Sequence, residues 1–200
     1  MLVRGLESLG TEDGQKVSFR RARAEDIPIL AGLARDAWPA QPGLVSVESE
    51  ARGMEVYVAH SMHASNWTEV ACKQEEILGF LFGRIDGHLD APPARRSVLG
   101  EVPQAIRSFL RRGHATTWHI LMIWSINLTE LKLMVNMPRS DASIEMLIVD
   151  SRHRGKGIGT ALMGRFLKAA EDAGSALVTV YSDDRMSDWR FYEARDFKRI

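Results

Sequence analysis

Seven consecutive residues carry the densest chemistry in this chain: Arg154-Gly155-Lys156-Gly157-Ile158-Gly159-Thr160. They follow an apolar run, Ile144 to Val149, broken only by Glu145, and a polar turn, Asp150-Ser151-Arg152-His153. A helix-patterned segment, Ala161 to Ala173, comes next. Strand, glycine turn, helix is an order that builds an anion site. Glycines let the backbone turn tightly and let a ligand approach its amides. The first N–H groups of a helix have no internal partner, and the helix dipole adds about half a positive charge there. A phosphate group fits such a place, and Arg154 and Lys156 bring cationic side chains to it. A bland corner with flexible glycines would use the same residue types. Glu145 is the second candidate. A carboxylate buried in an apolar strand gains proton affinity and can serve as a base; an exposed glutamate at a strand edge is the plainer account.

Spacing narrows the ligand. A P-loop needs Ser or Thr after Gly-Lys, and Lys156 is followed by Gly157. A dinucleotide fingerprint needs a third glycine where Thr160 stands. The stretch instead resembles the acyl-CoA-binding motif of the GNAT superfamily of N-acetyltransferases, R/Q-x-x-G-x-G/A, with Arg154, Gly157 and Gly159 in its fixed positions. A second run, Trp189 to Phe197, is similar to the signature F-Y-E-K-x-G-F of the same superfamily, with Asp196 in place of the glycine. Aspartate is among the residues that tolerate a left-handed backbone, so that turn can survive. An upstream asparagine common in the family is absent; Asp183, Asp184 and Asp188 occupy that region.

The resemblance implies an α/β (α+β) fold: a mixed, mostly antiparallel central sheet flanked by helices. It implies acetyl-CoA as co-substrate and no metal. The amides from Gly155 to Thr160, with Arg154, would hold the coenzyme's diphosphate. Strands that splay beside the motif would leave the backbone of Leu147 and Val149 to the pantetheine arm. In this family both substrates bind together and react directly. The acceptor amine must be neutral, and a free alkyl amine has a pKa near ~10.4, so a base must take its proton. Glu145 is the expected base, Tyr192 the expected acid for the leaving thiolate, and the N–H near Val149 the expected oxyanion donor. The implied function is acetyl transfer to a primary amine of an unidentified small molecule or peptide. A non-catalytic CoA-binding module, whose insertion docks a partner protein, is the alternative.

These groups need a scaffold, and 200 residues suffice for one. We expect a loose leader over 1–16 and one domain over 17–200, with an insertion at about 87–140 relative to the family. Val17 to Arg20 alternates as a strand, and Asp26 with Pro28 reads as a helix start, Asp26 serving as N-cap. Ser46 to Ser61 reads as a second helix. Its His60 and His63 form a surface or packing pair, because no further ligands of the right type sit nearby. Trp67–Lys73 and Ile77–Asp86 read as an antiparallel hairpin. Within the insertion, Trp118 to Val135 is strongly apolar, but His119, Asn127, Glu130 and Lys132 break it below membrane-spanning length. It reads as a buried or partner-facing helix, with a β-hairpin as the alternative; it would cover the acceptor site, form a homodimer interface or simply add packing. Ala176 to Tyr181 reads as a strand, Ser187 to Arg195 as a short helix and Phe197 to Ile200 as the start of a last strand. With few strands after it, the sheet would end in an exposed edge or borrow a strand from a partner.

Composition removes other classes. Lys+Arg and Asp+Glu both number 26, so the basic excess of a nucleic-acid binder is missing. The one cysteine, Cys72, permits no internal disulfide and fits a reducing, cytoplasmic setting; it reads as a small core residue. Residues 1–16 lack the apolar stretch of a secretory signal.

Overall fold

The computed structural model describes residues 16–39, 47–87, 140–182 and 189–199. The expectations for the leader, for the insertion and for the aspartates at 183, 184 and 188 lie outside the described residues.

Five strands form one sheet in the order β1-β2-β3-β4-β5. They are β1 Ser18–Arg21, β2 Trp67–Lys73, β3 Glu76–Ile85, β4 Ala142–Val149 and β5 Val178–Val180. The first three pairings are antiparallel, and β4 with β5 is parallel. The expected hairpin is present: Trp67 faces Gly83 and Lys73 faces Glu76, and Gln74 takes the positive φ of 55° that a tight turn requires. The sheet is therefore mixed and mostly antiparallel, as the resemblance implies.

Helices cover both faces. On one lie α1 (Ile27–Ala37) and α2 (Val47–Ala64); Leu30, Ala31, Ala34 and Val58 pack there with Val70, Phe80, Phe82, Met146 and Ile148. On the other lies α3 (Ile158–Asp172), whose Leu162, Met163 and Phe166 pack with Ala71, Leu78, Leu81 and Ile144. A strand covered on both faces should read as a continuous apolar run, and β3 does: from Ile77 to Gly83 every residue is buried. Glu69 of β2 is buried beneath α3, where Arg165 grips both carboxylate oxygens at 2.9 and 3.0 Å. Cys72 is buried among apolar residues as expected, and burial pushes its thiol pKa up. His60 and His63 are exposed. Among the described residues no helix is long and apolar enough to cross a membrane.

Three expectations need correction. Asp26 occupies the N-cap position of α1 but makes no side-chain cap. Its carboxylate instead takes two 2.8 Å bonds from the Arg20 guanidinium and one of 2.7 Å from the Arg23 amide, a stronger, charge-assisted set. Residues 197–199 form no strand, because left-handed Asp196 folds the chain back and the Phe197 amide bonds to the Tyr192 carbonyl at 3.3 Å. Helix α3 begins at Ile158, three residues before the segment read from sequence, because Gly159 and Thr160 accept helical geometry.

The Arg20–Asp26 pair should set part of the acid limit of stability. Its hydrogen bonds from Arg20 hold the Asp26 carboxyl below the usual carboxylate range, burial opposing. A depressed folded-state pKa contributes stability above the unfolded value of ~3.9 that disappears as pH falls through the folded value. Asp26→Asn should cost about 2 kcal/mol at pH 7 and shrink the stability change below pH ~4, as urea titrations across that range would show.

Candidate active site

The site begins with an irregularity in β4. Phe82 pairs with Met146 and Gly83 with Ile144, so Glu145 is an extra residue with no partner on β3. Such a bulge reverses the alternation of everything beyond it. Ile144 packs against α3, whereas Met146 and Ile148 pack against α1; in an unbroken strand all three would share a face. The bulge also turns the backbone. Beyond it, the Asp150 amide donates to the Leu78 carbonyl at 2.9 Å. Bonded and non-bonded pairs alternate along an antiparallel ladder, so Ile148 and Met146 aim their N–H and C=O at β3, and Leu147 and Val149 aim theirs away from it. On that far side β5 pairs only with Ala142, Ser143 and Ile144. The parallel pairing ends at Ile144, and among the described residues this leaves an opening lined by the polar backbone of Leu147 and Val149.

At the end of the opening stands the glycine turn. Gly155 and Gly157 have φ of 76° and 81°, a region that favours glycine. Gly157 is the N-cap of α3. The first internal helix bond runs from the Ala161 amide to the Gly157 carbonyl at 2.9 Å, which leaves the amides of Ile158, Gly159 and Thr160 without helical acceptors. Arg154 reaches back to β4, its Nε donating to the Val149 carbonyl at 3.1 Å. Arg154 and Lys156 are exposed, and neither forms an ion pair among the described residues. The turn before them is fixed by Asp150, whose buried carboxylate accepts from the Arg152 amide at 2.9 Å and its guanidinium at 2.6 Å. Those bonds from Arg152 hold the Asp150 carboxyl low. Glu76, Asp150 and His153 bring ligand-type atoms within 4.8 Å of one another, but the Arg152 guanidinium already ion-pairs both carboxylates.

The second run forms α4 (Trp189–Glu193) and the turn after it. Asp196 has the left-handed φ of 66° that its place in the glycine position calls for. Tyr192 lies edge-on between Phe191 and Phe197, with centroids at 5.4 and 5.8 Å, and all three pack on the α3-side core with Leu147 and Val149. Burial pushes the Tyr192 phenol up to about 12. A folded-state pKa above the unfolded ~10 gives stability that is complete below pH ~10 and is lost as pH rises toward about 12, roughly 3 kcal/mol in all. Tyr192→Phe should therefore flatten the alkaline loss of stability between pH ~10 and ~12, measured by denaturant unfolding.

The structure thus brings Val149, Arg154, the 157–160 turn and α4 together. A Cβ on Gly159 would lie 3.3 Å from the Phe191 ring and 3.4 Å from Val149 Cγ2, so α4 and β4 meet closely over the helix start. Glu145 stands apart from this group. The reading of a buried carboxylate is overturned: Glu145 is exposed, because the bulge takes it out of the apolar alternation. Its Oε1 accepts a 2.6 Å bond from Ser143 Oγ.

Two participants escaped the sequence reading. Ser143 gave no signal in an apolar run. Arg195 fills a variable position of the second signature, yet its spacing from Phe191 is the i,i+4 step that stacks side chains on a helix. Its guanidinium lies 3.7 Å from the Phe191 ring centroid, donates to the Phe191 carbonyl at 2.6 Å and to Thr160 Oγ1.

Residues 30–197 match the family model described as Acetyltransferase (GNAT) family. No curated protein matches the chain. Among solved structures, a transcriptional regulator from Bacillus halodurans C-125 is 21% identical, with 91% of this chain and 93% of that chain covered and a TM-score of 0.51. Ard1 from Thermoplasma volcanium is 16% identical, with 91% and 82% covered and a TM-score of 0.52. A ribosomal-protein-alanine N-acetyltransferase from Brucella melitensis biovar Abortus 2308 is 13% identical, with 92% of each chain covered and a TM-score of 0.50. At these identities the likeness is one of fold.

Proposed function

The chain belongs to the acetyltransferase (GNAT) family, and from that premise we propose that it transfers the acetyl group of acetyl-CoA directly to a primary amine of a small molecule or peptide. The single observation that carries this reading is the parting of β4 from β5 at the bulge, which opens the Leu147 and Val149 backbone onto the amide-rich start of α3. A thioester with a long amide-bearing arm and a diphosphate at its far end matches that order of groups. The arm would pair with the backbone of Leu147 and Val149. The diphosphate would take the amides of the turn, from Gly155, Lys156, Gly157, Ile158, Gly159 and Thr160, with Arg154 and Lys156 supplying positive charge.

The proposed chemistry uses this chain's own groups. Glu145, exposed at the bulge and held by Ser143, accepts the acceptor amine's proton through water. The Val149 N–H donates to the carbonyl oxygen as it becomes an oxyanion; such a donor is worth on the order of 3 kcal/mol in acyl transfer. As the tetrahedral intermediate collapses, the C–S bond breaks, the acetyl group stays on nitrogen and the sulfur leaves as thiolate. Tyr192 is neutral at working pH. Its phenol holds its proton far more tightly than an ordinary thiol of pKa ~8.5, so it serves as a hydrogen-bond donor to the sulfur, and solvent completes the protonation. The domain over 17–200 acts in the cytoplasm in this reading.

Calorimetry with CoA and acetyl-CoA tests the binding half, and thiol release from acetyl-CoA across a panel of amines tests the reaction. Binding with turnover of at least one amine is expected. Binding without thiol release from any amine would favour a non-catalytic CoA-binding module, and no heat at millimolar ligand would remove the assignment.

A further inference from the structure

We infer that Arg195 is a ligand for the coenzyme's diphosphate, a cation contributed by the turn after α4 to the anion site at the start of α3. The inference rests on the reading that acetyl-CoA lies along β4 and the 157–160 turn. Its evidence is separate from the motif, because Arg195 occupies a position that the signature leaves free.

The guanidinium stands where a positive charge is least welcome. It bonds to Thr160 Oγ1 in the first turn of α3, the positive end of that helix's dipole. No carboxylate lies in ion-pair range of it among the described residues. Its Nε is buried and has no hydrogen-bond partner, and burial lowers its pKa. Arg165, on the same helix as Thr160, is by contrast balanced by Glu69. The Phe191 ring and carbonyl hold the Arg195 head in place, so its direction is set before any ligand arrives. A planar donor fork, fixed at Thr160 beside the orphan amides of the α3 start, lacks one component: an anion with several oxygens. Phosphate oxygens suit that fork geometry.

The test compares wild type, Arg195→Ala and Arg195→Lys against three ligands: CoA, dephospho-CoA without the 3′-phosphate, and S-acetyl-pantetheine without any phosphate. Arg195→Ala should raise Kd for CoA and for dephospho-CoA alike, by about tenfold or more, the size of one lost charge-assisted hydrogen bond. The KM for S-acetyl-pantetheine should stay unchanged. Arg195→Lys keeps the charge without the fork and should fall between. A strap that only steadies α4 would weaken all three ligands, S-acetyl-pantetheine included; that pattern overturns the inference. So does an unchanged Kd, and so does a loss confined to CoA, which would assign the residue to the 3′-phosphate. Wild-type protein that binds none of the phosphorylated ligands would instead show that the coenzyme reading itself has failed.

Discussion

Glu145→Gln is expected to lower kcat by about a hundredfold or more, within the range for loss of a general base, and to leave the Kd for CoA unchanged. The substitution is nearly isosteric, and its amide oxygen can still accept from Ser143 Oγ, which now lies 2.6 Å from the carboxylate. The bulge should persist, because it is set by the register of Phe82–Met146 and Gly83–Ile144 rather than by the carboxylate. What the variant loses is the ability to take a proton. The acceptor must then deprotonate in bulk water, where its neutral fraction rises about tenfold per pH unit below its pKa of ~10.4. The variant's rate should climb steadily toward high pH and approach that of wild type. A variant with full activity at neutral pH would place the base elsewhere. A variant with weakened CoA binding would show that the bulge had moved. Ser143→Ala, which only frees the carboxylate, should cost far less than Glu145→Gln in the same assay.

Gly83→Val is expected to cost about 3 kcal/mol or more of stability, at the upper end for overpacking, and to abolish CoA binding with it. A Cβ at this position would lie 2.5 Å from Phe166 Cε2 and 2.8 Å from the Ser143 carbonyl oxygen. The ring could rotate, but the carbonyl belongs to the backbone of β4 and cannot retreat without breaking the pairing of Gly83 with Ile144. Phe166 is fully buried and edge-on to Trp67 at 6.3 Å, so its freedom is small as well. Gly83 therefore joins three things: the bulge, the seat of α3 and the angle at which the helix start meets the opening. Denaturant unfolding of Gly83→Val and Gly83→Ala, paired with CoA calorimetry, checks this. Wild-type stability in the valine variant would mean that the strands are less constrained than their contacts indicate.

The legible parts of this molecule were those governed by local rules. The hairpin of β2 and β3 was readable because apolar runs flanked a polar turn at Gln74 and Glu75. The glycine turn before α3 was readable because glycine spacing reports backbone geometry directly, and Gly155 and Gly157 do take positive φ. The left-handed turn at Asp196 was readable for the same reason. What escaped depends on partners distant in sequence. Nothing local to Glu145 says that Phe82 and Gly83 will skip it, so the apolar neighbours implied burial and the structure exposes it. Asp26 looked like a cap because its own segment offered amides, but the guanidinium of Arg20 competes better. Arg195 was silent because the Thr160 it contacts lies 35 residues away.

The burial of Cys72 equips the protein with a clock of its own. It is the chain's one cysteine, 3% exposed in the layer between the sheet and α1, and burial keeps its thiol protonated. A disulfide reagent added to folded protein should find almost nothing to react with, so its colour would count liberated coenzyme alone. With no substrate present, the slow appearance of that same colour would time how often the α1 layer lifts from the sheet.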